Sequence, residues 1–424
     1  MMKFFIPITA KGEQLKSALF WLFKLSWVWP MDPDSSGYWT LVVNCLALLF
    51  LSCFFGTVYA EFLFITEHEG DIAKIAECLC TTFVGTQLII RILHLIVRRN
   101  QMRDVLQKFY REIYLHNTED EKRHNDCESN LRLVYFMSIT FFLTLFFMYL
   151  SVAIVVARDP TSRSKPYLYQ MQFSYDSQLP WNYAFTTLYT GWVGISTVTI
   201  ISAEDCLIGI TLRYCEMRYT MLHEDLEKLY ETSLKSLVTK KPTLYHQRND
   251  LYKIFNQKLK VIIGKQQGID RFFEDLKSFL SIPIFFVVTF GVFLLCTVAF
   301  QLQKNDLSVE TLKYFFWLVS QCLEFLVIGF FGQRCTDAAA KMADSYYMCN
   351  WESLLIHNDS KTNAKLIRDI TFAIYRSQKS VHLNGMNFMI LSLDSIGSAM
   401  SSSVSYFMFL NTMEDISNKK NANK

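Results

Sequence analysis

The sequence predicts an all-α membrane protein of seven transmembrane helices, with a cytoplasmic N-terminus, an extracellular C-terminus and helical extensions forming a cytoplasmic anchor domain. Three observations predict it. Apolar runs long enough to cross a bilayer recur in a chain of 424 residues that is 51% hydrophobic and only 19% charged. Basic side chains concentrate in alternate segments between those runs. Two long linkers carry apolar residues at helical spacing.

A span needs about 20 mostly apolar residues. The first, Trp39–Ala60, has 22 without a charge. The second, Ile72–Val97, contains Lys74, Glu77 and Arg91, and its uncharged centre, Cys78–Ile90, is only 13 residues long. Alone it reads equally as a buried or interfacial helix. Leu133–Ala157 (25 residues), Trp181–Ala203 (23) and Ser278–Leu302 (25) are uncharged throughout. Tyr314–Gln333 is interrupted by Glu324, and Leu383–Met413 by Asp394. With seven spans, 32 Lys and Arg side chains fall in the N-terminal segment and alternate loops, and 8 fall in the others. Basic loops stay in the cytoplasm, which places the N-terminus inside. Omitting the second span blurs that asymmetry. The orientation also opposes a G-protein-coupled receptor, which the span count alone would allow.

The segments that follow are 1–212 (spans one to four), 213–277 (anchor), 278–333 (spans five and six), 334–382 (anchor) and 383–424 (span seven and an extracellular tail). In the anchor, Met221, Leu222, Leu226, Leu229 and Tyr230 share one helical face, and Leu251–Phe279 repeats the pattern into span five. Such helices either extend the membrane helices and pack subunits together, or lie on the inner leaflet. The sequon Asn358-Asp359-Ser360 falls on the inner side, where it would be silent.

No phosphate-binding loop, dinucleotide fingerprint, zinc-protease motif or CxxC pair is present, and the eight histidines do not pair at metal-ligand spacing. No enzyme activity, cofactor, metal or nucleic-acid partner is expected. Within span seven, Leu391, Asp394, Ser398, Ser402, Ser405, Phe409 and Thr412 lie along one helical face. A small, polar stripe closed by one phenylalanine suits a water-filled path with a hydrophobic gate, which one chain cannot close alone. The same stripe also suits close helix packing through small residues. Asp394 tilts towards the path, since a carboxylate in the bilayer needs water or a partner. Arg91, Lys74, Glu77 and Glu324 are the candidate partners.

"AAAKMADSYYMCNWESL" (Ala338–Leu354) and "SLDSIGSAMSSSVSYFMFL" (Ser392–Leu410) resemble the insect odorant receptor family, with Asp205 at a position where the family often has an acid. "LKVIIGKQQGIDRF" (Leu259–Phe272) resembles a segment that often carries a histidine, where Gln266 stands here. The related gustatory receptors usually end in a Tyr followed at a set distance by Gln-Phe. Here Tyr406 is followed there by Thr412 and Met413, which favours the odorant branch. The resemblance implies an odorant-tuning subunit of a ligand-gated non-selective cation channel in the plasma membrane of a sensory dendrite. It implies a hetero-oligomer, a tetramer with the co-receptor, and a pore lined by span seven with Phe409 at its narrowest point and Thr412 just outside.

The resemblance also implies that a small hydrophobic volatile binds in the outer halves of spans two, three, four and six. The candidates there are Cys78, Thr81, Thr82, Phe147, Tyr149, Leu150, Ile154, Phe185, Tyr189, Trp192, Ser196, Phe316, Trp317 and Ser320. A mainly apolar lining with a few hydroxyls suits such a ligand. Ordinary membrane packing would use many of the same residues. A gustatory-type channel, a G-protein-coupled receptor and a secondary transporter are the alternatives.

Overall fold

A computed structural model describes residues 4–8, 27–115, 120–159, 165–240, 247–304, 309–357, 360–379 and 381–422. Seven long helices form the bundle: α1 (Gly37–Glu67), α2 (Ile72–Val97), α5 (Arg132–Arg158), α6 (Pro180–Glu227), α8 (Gln247–Lys304), α9 (Val309–Ala340) and α12 (Leu393–Ala422). Shorter pieces join them: α3 (Arg99–Lys108), a π turn (Phe109–Ile113), α4 (Glu121–Asn130), α7 (Leu229–Lys240), α10 (Met342–Tyr347), a 3-10 turn (Trp351–His357) and α11 (Ser360–Ser377). The fold is therefore the expected all-α, seven-helix membrane class. Asn358 and Asp359 of the sequon lie outside the described residues.

Helix ends follow local chemistry. Asp71 caps α2, its carboxylate accepting from the Lys74 backbone N–H at 3.2 Å. Pro180 opens α6, where a missing N–H costs no helical bond. Inside α8, Pro283 cannot bond the Phe279 carbonyl, and the His94 ring packs on Phe279 with centroids 5.1 Å apart.

Among the described residues, six helices are long and apolar enough to cross a membrane, and Ile72–Val97 is one of them. The seventh, α12, is long but serine-rich, and falls short on apolarity rather than length. Helix α6 is central: 78% of its apolar window is buried inside the chain, against 33% for α1, so α1 turns most of its surface away from the rest of the chain. Helix α9 packs on α5, α6, α8 and α12, and α2 lies between α1 and α8.

Span seven begins later than expected. Residues 383–392 are not helical. Asn384–Gly385 pairs antiparallel with Met389–Ile390 as a short hairpin, β1 and β2, with Met386 and Asn387 at positive φ in its tip. Two successive left-handed residues make the tight turn that fits hairpin twist. The "NGMN" run supplies turn residues inside a leucine-rich stretch, and α12 starts only at Leu393. Asp394 consequently sits in the exposed first turn of α12, not in mid-span.

At the end of the bundle where α6, α8 and α9 run past their apolar windows, the extensions pack on one another. Leu222, Leu226, Leu229, Phe255, Leu259, Phe272, Phe273 and Leu276 are all buried there. Their apolar faces are thus filled within one chain. Gln266 anchors the group, accepting from the Tyr346 hydroxyl at 2.8 Å and donating to Ser377 Oγ at 3.0 Å. The boundaries at 212, 277 and 333 fall inside the continuous helices α6, α8 and α9.

Candidate ligand cavity and pore-lining helix

Near the other end of the bundle, α1, α2, α5, α6 and α9 surround a narrow cavity, about 760 Å3 of atom-free space with its open mouth included. Phe54, Phe141, Leu145, Met148, Val193, Val198, Ile201 and Trp317 supply apolar wall. Thr57, Glu61, Thr81, Gln87, Thr144, Thr197, Gln321 and Glu324 supply polar groups. Predominantly apolar walls with few polar groups are the usual make-up of a small-molecule site.

The segment 165–179 folds back onto this end. Leu168 and Met171 are buried, the Gln172 N–H donates to the Ala60 carbonyl at 3.0 Å, and Gln170 Nε2 donates to Glu77 Oε2 at 3.1 Å. This brings Tyr169 into the cavity wall opposite Gly194, where an added Cβ would lie 2.5 Å from the Tyr169 hydroxyl oxygen. Gly194 thereby makes room for the ring. Burial pushes the Tyr169 phenol well above its usual range, so it remains a hydrogen-bond donor.

Of the fourteen residues expected at a ligand site, Thr81 and Trp317 line this cavity. Cys78 lies one turn before Thr81, and Thr82 directly follows it. The Cys78 thiol donates to the carbonyls of Glu61 (3.5 Å) and Gln170 (3.4 Å), and the Thr82 hydroxyl to that of Cys78 (2.9 Å). Ser320 is fully buried, with its hydroxyl 3.4 Å from that of Thr144 in the cavity wall. Tyr149 donates to the Gly191 carbonyl at 2.6 Å, and the Tyr189 hydroxyl lies 3.0 Å from that of Thr57. These two tie helices together beside the cavity. Phe147 stacks on Phe316 at 5.1 Å, outside the lining, and Trp192 meets Phe50 edge-on at 5.1 Å. Phe185 is 68% exposed and faces away from the bundle. Leu150, Ile154 and Ser196 are half-buried and do not border the cavity.

The sequence reading missed Glu61, Gln87, Tyr169 and Gln321. Glu61 marked the end of the first apolar run, but α1 continues to Glu67 and carries the carboxyl into the wall. Tyr169 lies in a segment read only as a loop. No signal in the sequence shows that this segment folds inward.

Below the cavity Arg91 is wholly buried against three carboxyls. Its guanidinium lies 3.3 Å from Glu204, 3.5 Å from Asp205 and 2.6 Å from Glu324, and Gln321 donates to the second Glu324 oxygen at 2.6 Å. Among the described residues none of the candidate partners pairs with Asp394, which lies exposed in the first turn of α12. Among the other candidate partners, Glu77 pairs with Lys313 at 3.6 Å and Lys74 with Asp71 at 3.5 Å.

Helix α12 packs on α8 and α9, and its buried or half-buried side chains Ile396, Ala399, Ser403, Phe407, Leu410, Asn411 and Glu414 share one face, flanked by Tyr406, whose ring meets Phe293 of α8 at 5.3 Å. Gly329 lets it approach α9: a Cβ there would lie 2.9 Å from Ile396 Cγ1. At about 100° per residue, the stripe Asp394, Ser398, Ser402, Ser405, Phe409 and Thr412 lies on the opposite side. Each of these is exposed, Phe409 at 61%. The serine and threonine hydroxyls of the stripe donate to carbonyls one turn back, at 3.0–3.3 Å for the serines and 2.9 Å for Thr412, so they are satisfied within the helix. At its far end Asn411 donates to Gln303 at 3.0 Å, and Glu414 pairs with Lys304.

The fold is an all-α bundle of seven membrane helices, with a partly open, mainly apolar cavity and one serine-lined helix on its flank, which defines a multi-pass membrane protein. A family model described as "7tm Odorant receptor" matches residues 71–404, and the chain belongs to the odorant receptor family. It is 27% identical to odorant receptor 13a of Drosophila melanogaster over 408 residues, covering 93% of this chain and 94% of that one. It is 23% identical to odorant receptor 35a of the same species, covering 97% and 98%. It is also 27% identical to the odorant receptor coreceptor of Aedes aegypti, over 117 residues that cover 27% of this chain and 23% of that one. The olfactory receptor OR5 of Machilis hrabei, solved in complex with eugenol, shares the fold with a TM-score of 0.74 at 12% identity, covering 93% and 97%.

Proposed function

We propose that this chain is the odorant-tuning subunit of a ligand-gated, non-selective cation channel in the plasma membrane. The cavity takes a small hydrophobic volatile from the extracellular side, and α12 lines a shared pore in a heterotetramer with the co-receptor. One observation carries the reading: the polar stripe of α12 is turned away from everything its own chain packs. A helix that buried this stripe would be using it for packing. One that leaves it free has it available to face an axis between subunits. Ligand binding favours an arrangement in which Phe409 leaves that axis, and only a ligand that prefers the open arrangement can do so.

The test is whole-cell current in cells expressing this chain, the co-receptor or both, against a panel of volatiles. An evoked cation current that needs both chains is expected. The Phe409→Ala variant should raise unstimulated current or change permeation. Normal resting current together with normal permeation in that variant would remove Phe409 as the gate. Current from this chain alone would favour a gustatory-type, self-assembling channel. Silence with surface expression confirmed would overturn the channel reading.

A further inference from the structure

We propose that Glu61 is a specificity-determining residue: its carboxyl selects ligands bearing a hydroxyl group, so the cavity takes alcohols or phenols ahead of the matching esters, ethers and hydrocarbons. This rests on the odorant-receptor reading and names the ligand class of the same cavity.

Glu61 lines the cavity at 1% exposure, and its Oε2 has no hydrogen-bond partner among the described residues; the nearby Thr81 and Thr82 hydroxyls donate instead to the Cys78 carbonyl, at 3.0 and 2.9 Å. A buried acceptor left unmade is costly, and a ligand that supplies the missing bond recovers that cost. Beside it α1 and α2 pack closely at Gly85, also in the lining, where a Cβ would lie 2.8 Å from Val58 Cγ2 and in ordinary contact, 3.9 Å, with Glu61 Oε2. The rest of the wall is mainly apolar, with Phe54, Leu145 and Met148. The complement is therefore a hydrocarbon body with one hydrogen-bonding end.

The choice of end follows from the inventory of donors and acceptors. An ionised carboxyl only accepts, whereas a protonated one accepts at one oxygen and donates from the other. A hydroxyl both donates and accepts, so it satisfies Glu61 in either state. An ester or ether oxygen only accepts, so it pairs with the protonated carboxyl alone; an ammonium only donates, and a hydrocarbon does neither. A site built around a buried polar group discriminates strongly against an analogue that leaves the group unpaired.

The experiment uses the full chain with the co-receptor, and compares hexanol and benzyl alcohol with their acetates and methyl ethers by dose–response. The wild type should respond to the alcohols at concentrations about tenfold or more below those for the acetates. Glu61→Leu should weaken the alcohol responses by about tenfold or more while leaving the acetates unchanged or improved. Equal wild-type sensitivity to alcohol and acetate, or an alcohol-to-acetate ratio unchanged in Glu61→Leu, would overturn the proposal. Should Glu61→Leu fail to reach the surface, the near-isosteric Glu61→Gln replaces it: its amide N–H can always serve an ester oxygen, so the alcohol-to-acetate ratio must fall, and an unchanged ratio counts against the proposal. Odorant-evoked current without alcohol preference defeats this proposal alone. No current from a surface-expressed wild type defeats the odorant-receptor reading and this with it.

Discussion

Arg91 shows what a residue-by-residue reading can and cannot reach. Its charge inside an apolar run is visible in the sequence, as are those of Asp205 and Glu324. That three helices bring them to one point is not visible, because it depends on how α2, α6 and α9 pack. Asp394 was misplaced for a related reason. Composition cannot locate the start of a helix when turn residues are embedded in leucines. The cluster sets one guanidinium against three carboxyls at 3.3, 3.5 and 2.6 Å, all essentially without solvent. Removing the only cation leaves buried carboxyls uncompensated, which costs roughly 3–5 kcal/mol. Arg91→Met should therefore deplete the chain from the cell surface. Arg91→Lys should rescue it only in part, since a compact ammonium cannot fork to three carboxyls as the guanidinium does. Surface biotinylation in co-expressing cells reads both. Wild-type surface levels in Arg91→Met would show that the cluster contributes little to folding.

At the scale of elements, α12 is the helix whose direction of exposure matters most, and its stripe was legible from periodicity alone. Its start was not, since the hairpin 384–390 takes the first turns expected of it. Among the described residues α8 and α9 are its main supports, and at its far end the hold is polar: Asn411 to Gln303 and Glu414 to Lys304. If opening carries α12 away from the axis, these ties favour one of the two arrangements. A partly exposed ion pair is worth about 1 kcal/mol or less, which corresponds to a shift of up to about fivefold. Glu414→Lys should change the half-maximal odorant concentration or the unstimulated current by no more than that. The double swap Lys304→Glu with Glu414→Lys should restore both. A single variant that behaves as wild type, or a swap that restores nothing, would separate this pair from gating.

For the whole molecule, the fold was legible because bilayer physics acts on windows of about 20 residues, and averages over such windows survive local exceptions such as Arg91. The cavity was only partly legible because it depends on which of many aromatic and hydroxyl side chains turn inward. Phe185 and Trp317 look alike in the sequence, yet one is 68% exposed and the other lines the wall. The remaining global property is direction. The cavity lies towards the end where segment 165–179 folds in, and the basic extensions crowd the opposite end. On the orientation expected from the 32-to-8 division of Lys and Arg between alternate segments, with the extensions in the cytoplasm, the cavity lies towards the extracellular side. An epitope tag at the C-terminus should then be reached by antibody on intact cells, and one at the N-terminus only after permeabilisation. The reverse pattern would place the cavity end inside the cell, where a volatile arriving from outside would have to cross the membrane before reaching Glu61.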